Sequence, residues 1–152
     1  MKVPIATALA LAAWTLPVAA AEPDGVFTCS YEIKKPCTQG SVSVEWKGGL
    51  AQKLTFENFF CGTAGRPGYS CSLESARSGG EDRWRQQGSK TEIELGSPFN
   101  PDEKDTVLIS VEKNTFRFDF SSTQSGGKCG AGAQLPQSLA LDRKSKKCSV
   151  RL

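Results

Sequence analysis

The chain contains no histidine, and that absence removes several common chemistries at once. The usual serine and cysteine hydrolase arrangements need an imidazole base beside the nucleophile. Zinc sites favour closely spaced cysteine pairs, often completed by histidine. Here the cysteines stand far apart, at Cys29, Cys37, Cys61, Cys71, Cys129 and Cys148, so no metal and no other cofactor is expected. Charge of one sign is also scarce. The formal net charge is only +3, which names no specific partner and gives no reason to expect nucleic-acid binding. Internal repeats and low-complexity linkers are absent, and no segment carries a sustained helical period. Long apolar runs are missing except at the start. That run, residues 3–18, is shorter than the ~20 residues a membrane span requires. It is interrupted by Pro4 and Pro17 and has no basic stop-transfer flank, so no membrane span is expected.

What stands in its place has the layout of a secretory signal. Lys2 supplies the positive charge, the alanine- and leucine-rich stretch the apolar core, and Ala19, Ala20 and Ala21 a small-residue cleavage site before Glu22 and Pro23. Residues 1–21 are therefore expected to be a signal peptide, and residues 22–152 one mature domain, periplasmic or secreted. Cys29, the first cysteine, lies well past the cleavage site, which argues against a lipid-anchored form.

Six cysteines in an exported chain imply a disulfide framework. The simplest pairing closes three sequential loops, Cys29–Cys37, Cys61–Cys71 and Cys129–Cys148. Its main rival ties the ends of the domain together through Cys29 and Cys148. In either case the cysteines are oxidised and are not nucleophiles.

The pattern of the mature chain is period two, the signature of strands. Val107, Ile109 and Val111 alternate with Leu108, Ser110 and Glu112, and Phe116, Phe118 and Phe120 alternate with Arg117, Asp119 and Ser121. A two-residue turn at Lys113 and Asn114 sets Val111 against Phe116, Ile109 against Phe118 and Val107 against Phe120. Asn114 suits the positive φ that such turns use. A second hairpin runs through Val42, Val44 and Trp46. Gly48 and Gly49 mark its turn, and a three-residue loop ending at Leu50 places Val44 opposite Leu54 and Val42 opposite Phe56. Further strands are expected at 26–33, 69–75, 82–87, 90–95 and 148–152. Residues 134–142 have room for one helical turn, limited by Pro136. The sum is an all-β protein, a small antiparallel barrel or sandwich stapled by disulfides.

Candidate chemistry is sparse. Glu81, Asp82, Glu92, Glu94 and Asp119 are the carboxylates a glycosidase would draw on, but nothing in their spacing sets a working pair. Asn100, Asp102, Glu103 and Asp105 cluster in a turn with oxygen ligands suited to calcium, yet without EF-hand spacing, and a solvated acidic loop is the favoured explanation. The basic tail (Arg143, Lys144, Lys146, Lys147, Arg151) reads as an edge strand guarded by lysine against aggregation. It would also suit an envelope surface such as lipopolysaccharide or peptidoglycan. No catalytic set emerges, and the protein is expected to be a binder and not an enzyme.

The most suggestive segment lies between Cys61 and Cys71. It includes Ala64, Gly65, Arg66, Gly68, Tyr69 and Ser70. Arg and Tyr are enriched at binding hot spots, and a loop stiffened by disulfides loses less entropy on binding. The plainer reading is a stapled hairpin turn with a tyrosine packed on the barrel. The residues Phe27-Thr28-Cys29, then Gly65 to Tyr69, then Trp84 through Gly88, resemble the bacterial periplasmic and membrane-bound inhibitors of c-type lysozyme. That resemblance covers residues 27–95, with alanine at 64 in place of the family's serine and one extra residue between Gly65 and Tyr69. It implies a small exported β-barrel whose rigid loop enters a lysozyme cleft. Arg66 would meet a catalytic carboxylate, Tyr69 would pack in the sugar-binding groove, and the partner would be a target enzyme such as a host lysozyme. An immunity protein against a periplasmic toxin is a related expectation.

Overall fold

Alternating apolar and polar side chains fold into ten strands in the computed structural model, which describes residues 23–62, 68–96, 105–123, 129 and 135–152. They are β1 (Gly25–Lys34), β2 (Cys37–Lys47), β3 (Leu50–Phe60), β4 (Tyr69–Ala76), β5 (Arg83–Gln87), β6 (Lys90–Leu95), β7 (Asp105–Glu112), β8 (Thr115–Ser122), β9 (Ser138–Asp142) and β10 (Cys148–Arg151). All pairings are antiparallel, and each strand lies beside its sequence neighbour within its sheet. The first sheet has the order β1-β2-β3-β4 and the second β10-β9-β8-β7-β6-β5. The strands do not close into a barrel, so of the two expected architectures the sandwich is the one formed.

The expected hairpins keep their central registers. Val111 faces Phe116 and Ile109 faces Phe118. The third expected pair is altered by a bulge, because Leu108 pairs with Asp119 while Thr106 pairs with Ser122. Val107 thus stands against two residues, Phe120 and Ser121, and the strand bends there. The turn's positive φ falls on Lys113 (54°), where the sequence pointed to Asn114. In the earlier hairpin Val44 faces Leu54 and Val42 faces Phe56. Its turn is shorter than expected. Lys47 pairs directly with Leu50 across Gly48 and Gly49, whose φ values are 60° and 77°, and the surplus residue is absorbed as a bulge beside Glu45 and Trp46. In the segment expected to have room for a helical turn, Ser138–Asp142 form a strand, and the described residues 135–142 hold no helical turn. Leu139 and Leu141 are buried on one face and pair with Phe118 and Phe116, so period-two burial overrides any local turn preference.

The core lies between the sheets. Rings from opposite sheets meet at Phe27–Phe116 and Trp46–Phe116, both 5.2 Å between centroids, and at Phe56–Phe120, 4.8 Å. Phe56, Phe116 and Phe118 are fully buried, each contributing about 1.5–3 kcal/mol. The open sides of the sandwich are joined by side chains. At β4 and β5 the Trp84 indole donates to Ser75 Oγ (3.0 Å), and the Arg77 guanidinium lies 5.4 Å from the Trp84 ring.

The disulfides are Cys29–Cys148, Cys37–Cys61 and Cys71–Cys129. The rival expectation, a Cys29–Cys148 bridge, is realised, and it joins the edge strands of the two sheets. The three sequential loops are not formed, and the strand register explains why. Cys29 is buried opposite Val42, whereas Cys37 sits at the far end of the same hairpin, opposite Lys34. Cys37 instead neighbours Cys61, whose N–H donates to its carbonyl at 3.0 Å. Cys71 faces Cys129 through a β-bridge. With no free thiol, the fold suits an oxidising, extracytoplasmic compartment.

Candidate functional site

Of the carboxylates singled out for catalysis, Asp82, Glu92, Glu94 and Asp119 hold partners, while Glu81 is exposed. Asp82 Oδ1 accepts the Gly96 N–H (2.8 Å). Glu92 and Glu94 both face Arg85, at 3.8 and 3.4 Å. Asp119 accepts the Ser121 N–H (2.9 Å), and bonds from the Ser121 side chain and backbone hold its carboxyl below the usual range. The one pair that converges, Glu92 and Glu94, is occupied by Arg85. Of the calcium candidates, Asn100, Asp102 and Glu103 lie outside the described residues. Asp105 is buried at the start of β7, opposite Leu95, and so is not a solvated loop ligand. Among the described residues no group of three metal-ligating side chains comes together.

Of the predicted binding loop, Ala64, Gly65 and Arg66 lie outside the described residues. Its frame is clear. Phe60 pairs with Tyr69 and Phe59 with Ser70, so β3 and β4 form a hairpin paired up to those two residues. Both arms of that hairpin are stapled, but to other partners and not to each other: Cys61 to Cys37, Cys71 to Cys129. Gly68 is required at the base, since a Cβ there would come within 2.7 Å of the Phe60 carbonyl. Tyr69 is half-buried and packs against the core, while Ser70 is exposed on the outer face.

That outer face holds an arrangement that the sequence reading did not single out. Registers across the first sheet align Ser30, Ser41, Glu57 and Ser72 in one row, and Glu32, Gln39, Phe59 and Ser70 in the next. The two rows line an open cleft of about 650 Å³ immediately beside the base of the β3–β4 loop. Among the described residues its lining carries two carboxylates, Glu32 and Glu57, and no cation. Phe59 is 41% exposed there, an aromatic in the polar phase of its strand. That phase was the one signal available in sequence. Leu54, Phe56 and Asn58 mark the buried face, so Phe59 had to point outward.

The cleft floor is fixed from beneath. Asn58 Oδ1 accepts from Tyr31 Oη (2.9 Å) and from Thr38 Oγ1 (2.8 Å), which ties β1, β2 and β3 together. Burial pushes the Tyr31 hydroxyl up to about 12. The Tyr31 ring covers Gly40, where a Cβ would fall 2.4 Å from the Glu57 carbonyl and 2.6 Å from the Tyr31 oxygen.

No known family model, curated protein or solved structure matches the chain. The functional reading therefore rests on the site itself.

The second sheet has a different outer face. Its open cleft of about 500 Å³ is lined by Lys90, Arg117 and Arg151 with a single carboxylate, Asp119. The two clefts thus differ in the sign of their charge.

Proposed function

We propose that this protein is an exported inhibitor that binds and blocks a cell-wall-degrading enzyme, foremost a lysozyme, in the periplasm or outside the cell. The observation that carries this reading is the acidic cleft lying against a doubly stapled hairpin. A loop whose two arms are fixed by separate disulfides loses little entropy on docking. The adjacent Glu32 and Glu57 would attract a basic enzyme surface and orient it. The resemblance of residues 27–95 implies a c-type lysozyme, a generally basic enzyme, as that partner. Its catalytic cleft carries the carboxylates that Arg66 would meet. Ser70 and Phe59 would extend the contact from the loop along the sheet, whereas Tyr69 supports the loop from inside. Inhibition would act by occupancy alone. The chain has no histidine, every cysteine is bridged, and Asp82 and Asp119 hold structural bonds.

The test is clearing of a cell-wall suspension by c-, g- and i-type lysozymes in the presence of oxidised mature protein. Inhibition of one type at near-stoichiometric concentration is expected, with Arg66→Glu weakening it by at least about tenfold, as for loss of one buried charge pair. Undiminished inhibition by that variant would remove the loop from the mechanism. No inhibition of any lysozyme would overturn the reading.

A further inference from the structure

Four turns gather at the end of the sandwich opposite the cleft's loop. The β7–β8 turn (Lys113, Asn114) receives the Arg143 N–H at the Asn114 carbonyl, 2.8 Å, which brings in the β9–β10 turn. The Val111 N–H donates to the Ser89 carbonyl, 3.2 Å, which brings in the β5–β6 turn. Trp46 packs on Phe116 and brings in the β2–β3 turn. Each turn contributes exposed lysine: Lys47, Lys90, Lys113, and then Lys144, Lys146 and Lys147 together.

Among the described residues four acids, Asp24, Glu45, Glu112 and Asp142, share this end, fewer than its six exposed lysines. Asp142 Oδ1 accepts from the backbone of Lys144 and Ser145 and from the Ser145 hydroxyl, at 3.1, 2.7 and 2.9 Å. Glu112 holds Arg117 at 2.7 Å, and Asp24 accepts the Gly48 N–H at 2.7 Å. Glu45 lies on the outer face of β2, opposite Lys53. Arg143 is not part of the free charge. Its guanidinium lies 5.2 Å from the Phe116 ring and donates to the Lys113 carbonyl, so it clamps the turns in place. The lysines are thus held on a common end by a rigid core. Val26 is 68% exposed on the same end, where Gly25 begins β1.

We infer that this end is a docking surface for an anionic lipid bilayer, engaging phosphate-bearing headgroups through lysines from several turns. Lysine is a flexible point charge suited to a fluid layer of phosphates, and each one near an anionic surface adds a separate increment of attraction. Edge protection of β10 would account for lysines in the β9–β10 turn alone. It gives no reason for Lys47 and Lys113 to share the end. Docking by this end leaves the acidic cleft and the β3–β4 loop directed away from the lipid and open to a partner.

The experiment is co-sedimentation of the oxidised mature protein with vesicles of phosphatidylglycerol and phosphatidylcholine in equal parts, against phosphatidylcholine alone. Retention on the anionic vesicles is expected, falling steeply as salt is raised. The triple variant Lys144→Gln, Lys146→Gln, Lys147→Gln should bind on the order of a hundredfold more weakly. A second variant, Lys47→Gln with Lys113→Gln, should also lose more than about tenfold, since its lysines belong to the same surface. Both variants should keep the wild-type denaturation midpoint, because the changed side chains are exposed. Equal retention on neutral vesicles, or wild-type binding by either variant, would overturn the proposal. So would retention on double-stranded DNA with none on vesicles.

Discussion

Gly40 and Tyr31 show how much of this fold depends on single side chains. Gly40 leaves space for the Tyr31 ring, and the ring delivers its hydroxyl to Asn58. Gly40→Ala would push a methyl into the Glu57 carbonyl, and backbone cannot swing away as a long side chain can. The expected loss is about 1–3 kcal/mol in chemical denaturation. Tyr31 makes the floor of the cleft sensitive to alkali. Its hydroxyl is raised from an ordinary value near 10.0 to about 12 by burial, so the folded state favours the neutral form. The stability this confers is complete below pH 10 and is lost as pH rises toward 12. Tyr31→Phe should cost about 1 kcal/mol at neutral pH and should flatten the decline over that alkaline range. Denaturation midpoints measured across pH for the two proteins check both statements. A decline of the same depth in the variant would assign the alkaline loss to another group.

The individual strands were largely legible, because alternation and turn chemistry act locally. Val111 against Phe116 follows from two alternating runs and a two-residue turn, and Val44 against Leu54 from the glycine pair. Residues 134–142 misled for a physical reason: Leu139 and Leu141 become strand residues only because Phe116 and Phe118 offer a neighbour. The cysteine pairing was less legible still. Cys29 meets Cys148 across sheets, and Cys71 meets Cys129 at a sheet edge, so both depend on how distant strands pack. Their loops differ in length, with sequence separations of 119 residues for Cys29–Cys148 and 24 for Cys37–Cys61. Removing either bridge by paired alanine substitution should cost about 2–4 kcal/mol, with the longer loop costing about 1 kcal/mol more. Denaturant titration of the two double variants measures that difference. Equal losses would show that the sheet edges at β1 and β10 stay joined without their bridge. The cleft was nearly invisible for the same reason as the bridges. Ser41, Glu57 and Glu32 are ordinary outward residues in sequence, and only the registers of four strands align them around Phe59.

Across the whole molecule the small net charge conceals a polarity. Among the described residues the cleft of the first sheet carries Glu32 and Glu57 with no cation, the second sheet's outer cleft is basic, and the far end gathers lysines from four turns. The formal charge of the chain therefore gave no guide to its partners, since attraction acts through local surfaces. On this account the molecule has two working ends, one holding a surface and one presenting a stapled hairpin and an acidic cleft to a basic enzyme. The most direct measurement is calorimetric titration of a c-type lysozyme with the oxidised mature protein and with its Glu32→Lys, Glu57→Lys variant. Both changed side chains are exposed, so the variant should fold as the parent does. The account predicts one-to-one binding by the parent and at least about tenfold weaker, less salt-sensitive binding by the variant. Equal affinity of the two proteins, or no binding by the parent, would contradict it.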